Sequence, residues 1–171
     1  MSKLLLPVLF IFLFIAESTF VELLPEKNFD NQYIIVPHFL IAAILFLSVY
    51  GPKKYWLYYA FIFGLLFDIV YTEIIGIYLF LYPLIAYLFT RLMRILQTNI
   101  IIVSLVSLVG IMLLELGSYE INFLVHITNM DFSSYLSERL VPTLILNFIF
   151  IVLVAYPFKK YFEKVVESLD V

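Results

Sequence analysis

Hydrophobic residues run along this chain in blocks, and charged residues fall mainly between the blocks. Six apolar blocks stand out: residues 4–24, 33–50, 55–71, 74–90, 99–116 and 139–158. Blocks of about 17–21 residues reach roughly 26–32 Å at the rise of an α-helix, which matches the hydrocarbon core of a bilayer. No ten-residue alternation of apolar and polar positions occurs, so a membrane β-barrel is excluded. Helices satisfy their own backbone polar groups in lipid. The pattern therefore predicts an all-α fold, a polytopic membrane bundle of six transmembrane helices.

Turn chemistry supports these boundaries. Pro25 closes the first block, and Gly51-Pro52 separates the second from the third. Blocks three and four are joined by only a few residues around Thr72-Glu73, which predicts a tight helical hairpin. Pro7, Pro37, Pro83 and Pro142 lie inside or at the start of blocks, where each removes a backbone donor. The first block has a rival reading as a signal peptide, with Lys3, an apolar run and then Ala16 and Ser18. Glu17 in that cleavage site and the apolar continuation beyond it favour a span. The less apolar stretch 118–129 reads as an outward extension of span five.

Beyond Pro157 the period changes character. Phe158, Phe162, Val165 and Leu169 recur at helical spacing, with Lys159, Lys160, Glu163, Lys164 and Glu167 on the other face. That is the pattern of an amphipathic interfacial helix. It divides the chain into a membrane domain, residues 1–158, and an amphipathic tail, residues 159–171.

Composition narrows the class further. The chain is 64% apolar and 13% charged, with mean hydropathy +1.08. A soluble domain has about a quarter of its residues charged, so water-soluble and disordered proteins are both excluded. Cys is absent, which removes disulfides and thiolate metal sites. Of the ten cations, Lys3, Lys53, Lys54, Arg91, Arg94, Lys159, Lys160 and Lys164 fall on one side of a six-span layout, and only Lys27 and Arg139 on the other. The positive-inside rule makes the first side cytoplasmic and puts both termini there. Five spans would place the C-terminal lysines outside. Lys53, Lys54, Arg91, Arg94, Lys159 and Lys160 thus form a cytoplasmic basic face.

Ionisable residues inside spans are costly and face a bundle interior or a cavity. Here they are Glu17, Asp68 and Glu115, with Arg139 near the outer surface and Asn147 nearer mid-membrane. Arg139, Thr143 and Asn147 follow at i, i+4 and i+8 and share a face, and Ser107, Glu115, Ser118, Asn122 and His126 make one stripe. These residues predict a buried polar cluster in the outer half, with Arg139 as counter-ion to Asp68, Glu115 or Glu17, and with His38 close enough to join. Gly64, one turn before Asp68, and Gly76 are candidate helix-packing positions. The plainest role of the cluster is to hold helices together. A ligand or proton pathway and recognition of a partner's membrane helix are the other two readings. The aromatics at span ends, Trp56 and Tyr71 among them, read as an interfacial belt.

Catalytic signatures do not appear. There is no phosphate-binding glycine loop, dinucleotide turn or His-Glu-x-x-His motif, and no nucleophile elbow. Two histidines without cysteine make a poor metal centre. No cofactor is expected, and the few cations give no electrostatic basis for nucleic-acid binding. The chain reads as a non-enzyme.

Several stretches, in order, carry a family resemblance. Ala16-Glu17-Ser18 ends the first span, and Val36-Pro37-His38-Phe39-Leu40 opens the second. The run from Phe61 to Asp68, with Gly76 eight residues on, forms the third span and its hairpin. Leu113-Leu114-Glu115 lies in the fifth, and Glu138-Arg139-Leu140-Val141-Pro142-Thr143, then Asn147, opens the sixth. Together they resemble the rod shape-determining protein MreD family over nearly the whole chain, especially its Gram-positive members. One departure is His38, where a basic residue such as Arg is the expectation. The resemblance implies a non-enzymatic, multi-pass plasma-membrane component of the cell-elongation complex. Its implied partners are an MreC-like membrane protein, the peptidoglycan synthases that work outside and, indirectly, cytoplasmic MreB filaments, together with the lipid bilayer itself. The family is also similar in fold to the vitamin-binding S-components of energy-coupling transporters, which makes a small-solute binding subunit the alternative. An S-component needs a small-residue groove for its transmembrane partner, and the bulky first span, with Phe10, Phe12, Phe14 and Phe20, argues against such docking.

Overall fold

A computed structural model describes residues 2–23, 33–53, 55–72 and 74–169. Among them the fold is entirely helical: α1 (Ser2–Leu23), α2 (Phe39–Tyr50), α3 (Tyr55–Tyr71), α4 (Ile77–Met93), α5 (Ile100–Leu124) and α6 (Phe132–Glu167). Within α6 the turns Tyr135–Leu140 are π-helical. Three segments are long and apolar enough to cross a membrane: Leu5–Leu23, Ile100–Leu124 and Phe132–Glu167. The apolar helices α2, α3 and α4 are shorter.

Helix α2 is the central post. Its residues 40–47 are fully buried, and it packs against each of the other five helices. A helix that is apolar all round needs such a place. The surrounding helices turn the opposite way. Phe12, Ile69, Phe80, Leu105 and Leu153 are exposed on the outside of the bundle, an exterior suited to lipid. Lipid tails give no hydrophobic drive between helices, so close packing and internal hydrogen bonds must hold such a bundle.

The second span differs from its sequence reading. The helix starts at Phe39, and residues 33–38 are non-helical. Pro37 supplies the local reason, because it disfavours helical backbone at Val36 and carries no N–H. The tertiary reason lies on α6. Val36 N–H donates to Thr143 Oγ1 (3.1 Å), and Asn147 Nδ2 donates back to the Val36 carbonyl (2.9 Å). His38 N–H donates to Asn147 Oδ1 (2.7 Å), and Ile34 N–H to the Glu138 carbonyl (2.8 Å). Irregular backbone inside a membrane-type bundle is tolerated where protein groups satisfy it in this way.

The α3–α4 hairpin depends on Gly64. A Cβ there would fall 2.5 Å from the Tyr78 carbonyl oxygen, so only glycine allows this approach. Gly76 opens α4 at φ 126°, a conformation that glycine adopts without strain. The fourth helix consequently begins three residues later than the apolar block does. Helix α5 runs on to Leu124, past the apolar block, and α6 starts at Phe132, ahead of it.

At the other end, α6 does not break at Pro157 but continues to Glu167. Its buried face, Thr143, Asn147, Ile151, Ala155, Phe158, Phe162 and Val165, steps by three or four residues straight past the proline. Phe158 meets Phe46 of α2 edge-on at 6.0 Å between ring centroids. The charged last turns are therefore an extension of α6 whose apolar stripe packs on the bundle.

Candidate functional site

The polar residues gather at the end of the bundle where α1, α3 and α5 finish and α2, α4 and α6 begin. Each alternate helix delivers one carboxylate there. Glu115, from α5, is fully buried and lies between two nitrogen donors. Arg139 Nε donates to Glu115 Oε2 at 2.9 Å, and Arg139 Nη2 lies 3.5 Å from Oε1. His38 Nε2 lies 2.6 Å from the same Oε1. A carboxylate that accepts from arginine accepts here as well, so the histidine presents its Nε2–H. The three side chains tie α5, α6 and the start of α2 together. Of the three acids that the sequence offered as partners for Arg139, the structure pairs it with Glu115.

Asp68 and Glu17 do different work. Asp68 caps α4: Oδ2 accepts from the N–H groups of Gly76 (2.8 Å) and Leu79 (2.9 Å), and Oδ1 from Tyr78 N–H (2.9 Å). Glu17 reaches from α1 to the start of α2, where Oε1 accepts from Leu40 N–H at 2.7 Å. Both acids stand at helix N-termini, where orphan amides and the helix dipole favour negative charge. Neither helix has a side-chain cap from its own residues. The polar residues therefore form one zone but three separate devices. Asn147 joins the Glu115 device through His38, whose N–H it accepts.

Two cavities flank this zone. One, of about 340 Å³, is lined by Tyr71, Tyr78, Tyr119, Asn122, Tyr135 and Arg139. Tyr135 is buried in the π-helical turns and stacks on Tyr119 with ring centroids 4.0 Å apart. The other, of about 390 Å³, is mainly apolar, and its lining includes Glu17, Ser18, Pro37 and Phe67. Glu17 Oε2 and His38 Nδ1 are buried without a hydrogen-bond partner among the described residues. No three His, Cys, Asp or Glu side chains among those residues converge on a metal position. The arrangement can bind backbone amides, hold a buried ion pair and admit small groups beside it.

A match to a protein-family model spans residues 2–165, and the family is described as rod shape-determining protein MreD. The chain belongs to the MreD family. It is 31% identical over 169 residues to a protein of Bacillus subtilis (strain 168) named rod shape-determining protein MreD, covering 99% of this chain and 98% of that one. It is also 31% identical over 135 residues to a Streptococcus pneumoniae protein named cell shape-determining protein MreD, covering 79% and 82%. No solved structure matches the chain significantly.

The remaining sequence candidates of this MreD-family chain fall elsewhere. Gly64 and Gly76 shape the α3–α4 hairpin beside Asp68. His126 sits exposed at φ 62° on the turn after α5, away from the Glu115 pair. Lys53, Arg91, Arg94, Lys159 and Lys160 belong to the opposite end of the bundle, and Lys54 lies outside the described residues. Arg91 is held by Tyr87, with Nε 2.9 Å from the hydroxyl and the guanidinium 5.1 Å from the ring centre. Lys159 lies 5.5 Å from the centre of the Tyr50 ring and 4.0 Å from Glu163. Of the tyrosines that line the cavity beside Arg139, Tyr71 reads from sequence only as part of an interfacial belt, and Tyr78, Tyr119 and Tyr135 carry no sequence signal. Tyr119 and Tyr135 fall in stretches without a clean apolar block, and nothing local marks them as neighbours.

Proposed function

We propose that this chain is a non-enzymatic scaffold of the cell-elongation machinery. In this reading it crosses the plasma membrane six times, with both termini in the cytoplasm. It packs against membrane spans of an MreC-like protein and of peptidoglycan synthases. Through them it couples indirectly to MreB filaments. The observation that carries the reading is family membership across residues 2–165, together with relatives named for determining cell shape. The geometry agrees in kind: the acids inside the bundle accept hydrogen bonds that join helices. The apolar exterior offers broad surface for partner helices. The excess of Lys and Arg at the α2–α3 and α4–α5 connections supports a cytoplasmic position for that end. On this view residues 1–158 are the membrane domain, and residues 159–171 are a cytoplasmic amphipathic tail.

Gentle detergent extraction from native membranes and affinity capture of a tagged chain test the proposal. Co-purification of an MreC-like protein and peptidoglycan synthases is the expected result. Capture of a transporter ATPase and its membrane coupling subunit in their place overturns it.

A further inference from the structure

We propose that a recess at the basic end of the bundle binds the phosphate of an anionic membrane lipid. The recess, about 490 Å³ in volume, lies between the α2–α3 turn and the α4–α5 connection. Lys53 enters it from the first and Arg94 from the second, and the walls include Ser48, Trp56, Thr90 and Thr98. Among the described residues no acidic side chain lines it.

The cations in the recess are uncommitted. Arg91 and Lys159, nearby in sequence or space, are engaged by Tyr87, Tyr50 and Glu163. Among the described residues, the Lys53 and Arg94 side chains take part in no hydrogen bond or ion pair. Two cations of separate connections facing one polar recess without a counter-ion suit a phosphate, which guanidinium grips through two parallel bonds and ammonium through point charge. The hydroxyls of Ser48 and Thr90 donate to the carbonyls of Leu45 and Ala86. Lys53, Arg94, the Trp56 indole and the Thr98 hydroxyl are left as the donors for an anion.

The surroundings select a lipid over a soluble phosphate. Tyr87 and Phe80 are exposed and lie seven and fourteen residues before Arg94, on its face of α4. A phosphate seated in the recess leaves its acyl chains an apolar track down the outside of α4. Trp56 stands where tryptophan favours the headgroup level. The inference rests on the membrane insertion proposed above but not on any protein partner.

The test uses the purified full chain in a neutral detergent, titrated with phosphatidylglycerol or phosphatidylcholine and followed by native mass spectrometry and thermal shift. Saturable binding of phosphatidylglycerol, with phosphatidylcholine at least about tenfold weaker, is expected from charge-assisted contacts. The double variant Lys53→Gln/Arg94→Gln should weaken phosphatidylglycerol about tenfold. The charge-preserving Lys53→Arg/Arg94→Lys pair should stay within about threefold, because the point charge is kept while the fork geometry changes. Lys160→Gln/Lys164→Gln, which removes equal charge outside the recess, should bind like the unaltered chain. Equal binding of both lipids, or equal losses from both Gln pairs, overturns the site. Saturation by millimolar glycerol phosphate or inorganic phosphate without lipid transfers it to a soluble phosphate and overturns the lipid assignment. These readouts stand apart from partner capture, so either proposal can fail alone.

Discussion

Helices α2 and α4 both begin inside the bundle, and both are capped by a carboxylate of the preceding helix. The two caps are built differently. Asp68 uses both oxygens, accepts from three amides and sits only eight to eleven residues from its partners. Glu17 is bonded to Leu40 N–H through one oxygen, and its other oxygen is buried, unpartnered and beside a cavity. The first is a closed local device that fixes a hairpin. The second joins segments across a longer connection and keeps unused acceptor capacity. A buried acid in a membrane-type bundle is thus not one kind of object, and its role follows from how many donors surround it.

Four substitutions break or sharpen this contrast. Asp68→Ala removes a charged acceptor from three N–H groups and should cost about 4 kcal/mol or more. The detergent-solubilised chain should melt far lower and shape control should fail, and a variant that keeps both would show that Asp68 is dispensable to the hairpin. Gly64→Ala attacks the same hairpin through packing. Its methyl group must displace the Tyr78 carbonyl, at a cost of about 2–3 kcal/mol in the same melting assay. An unchanged melting point would mean that α3 and α4 do not approach this closely. Glu17→Ala strips one cap bond and should cost about 2 kcal/mol, clearly less than Asp68→Ala. Equal losses would erase the distinction between the two caps. Glu17→Gln keeps an acceptor for Leu40 N–H and can turn its amide toward the cavity, so a change below about 1 kcal/mol is expected. A drop as large as that of Glu17→Ala would show that the negative charge, not the acceptor, supports α2.

Much of the helical plan was legible because the stretches that supply outward-facing and core-facing helices are alike apolar. The same uniformity hid the second span's structure. Residues 33–36 are as apolar as a helix requires, and only Pro37 marked the extended backbone locally. Its hydrogen bonds come from Thr143 and Asn147, more than a hundred residues on. The shared face of Arg139, Thr143 and Asn147 was readable from spacing alone. The choice of Glu115 over Asp68 and Glu17 was not, since it depends on which helices are neighbours. The continuity of α6 was present in the stripe from Thr143 to Val165, but the proline and the rise in charge after it drew a boundary there. The convergence of Lys53 and Arg94 depends on two connections meeting in space, which no periodicity encodes.

The central position of α2 has a consequence for the order in which the protein is made. At 12 residues this helix reaches only about 18 Å, too short to span a bilayer as a free helix. It emerges from the ribosome before every helix except α1. The amide and hydroxyl groups that satisfy the segment leading into it arrive last, on α6. Biogenesis therefore has to shelter residues 33–50 until the C-terminal helix closes over them, and a chain interrupted before Thr143 carries an unsealed core.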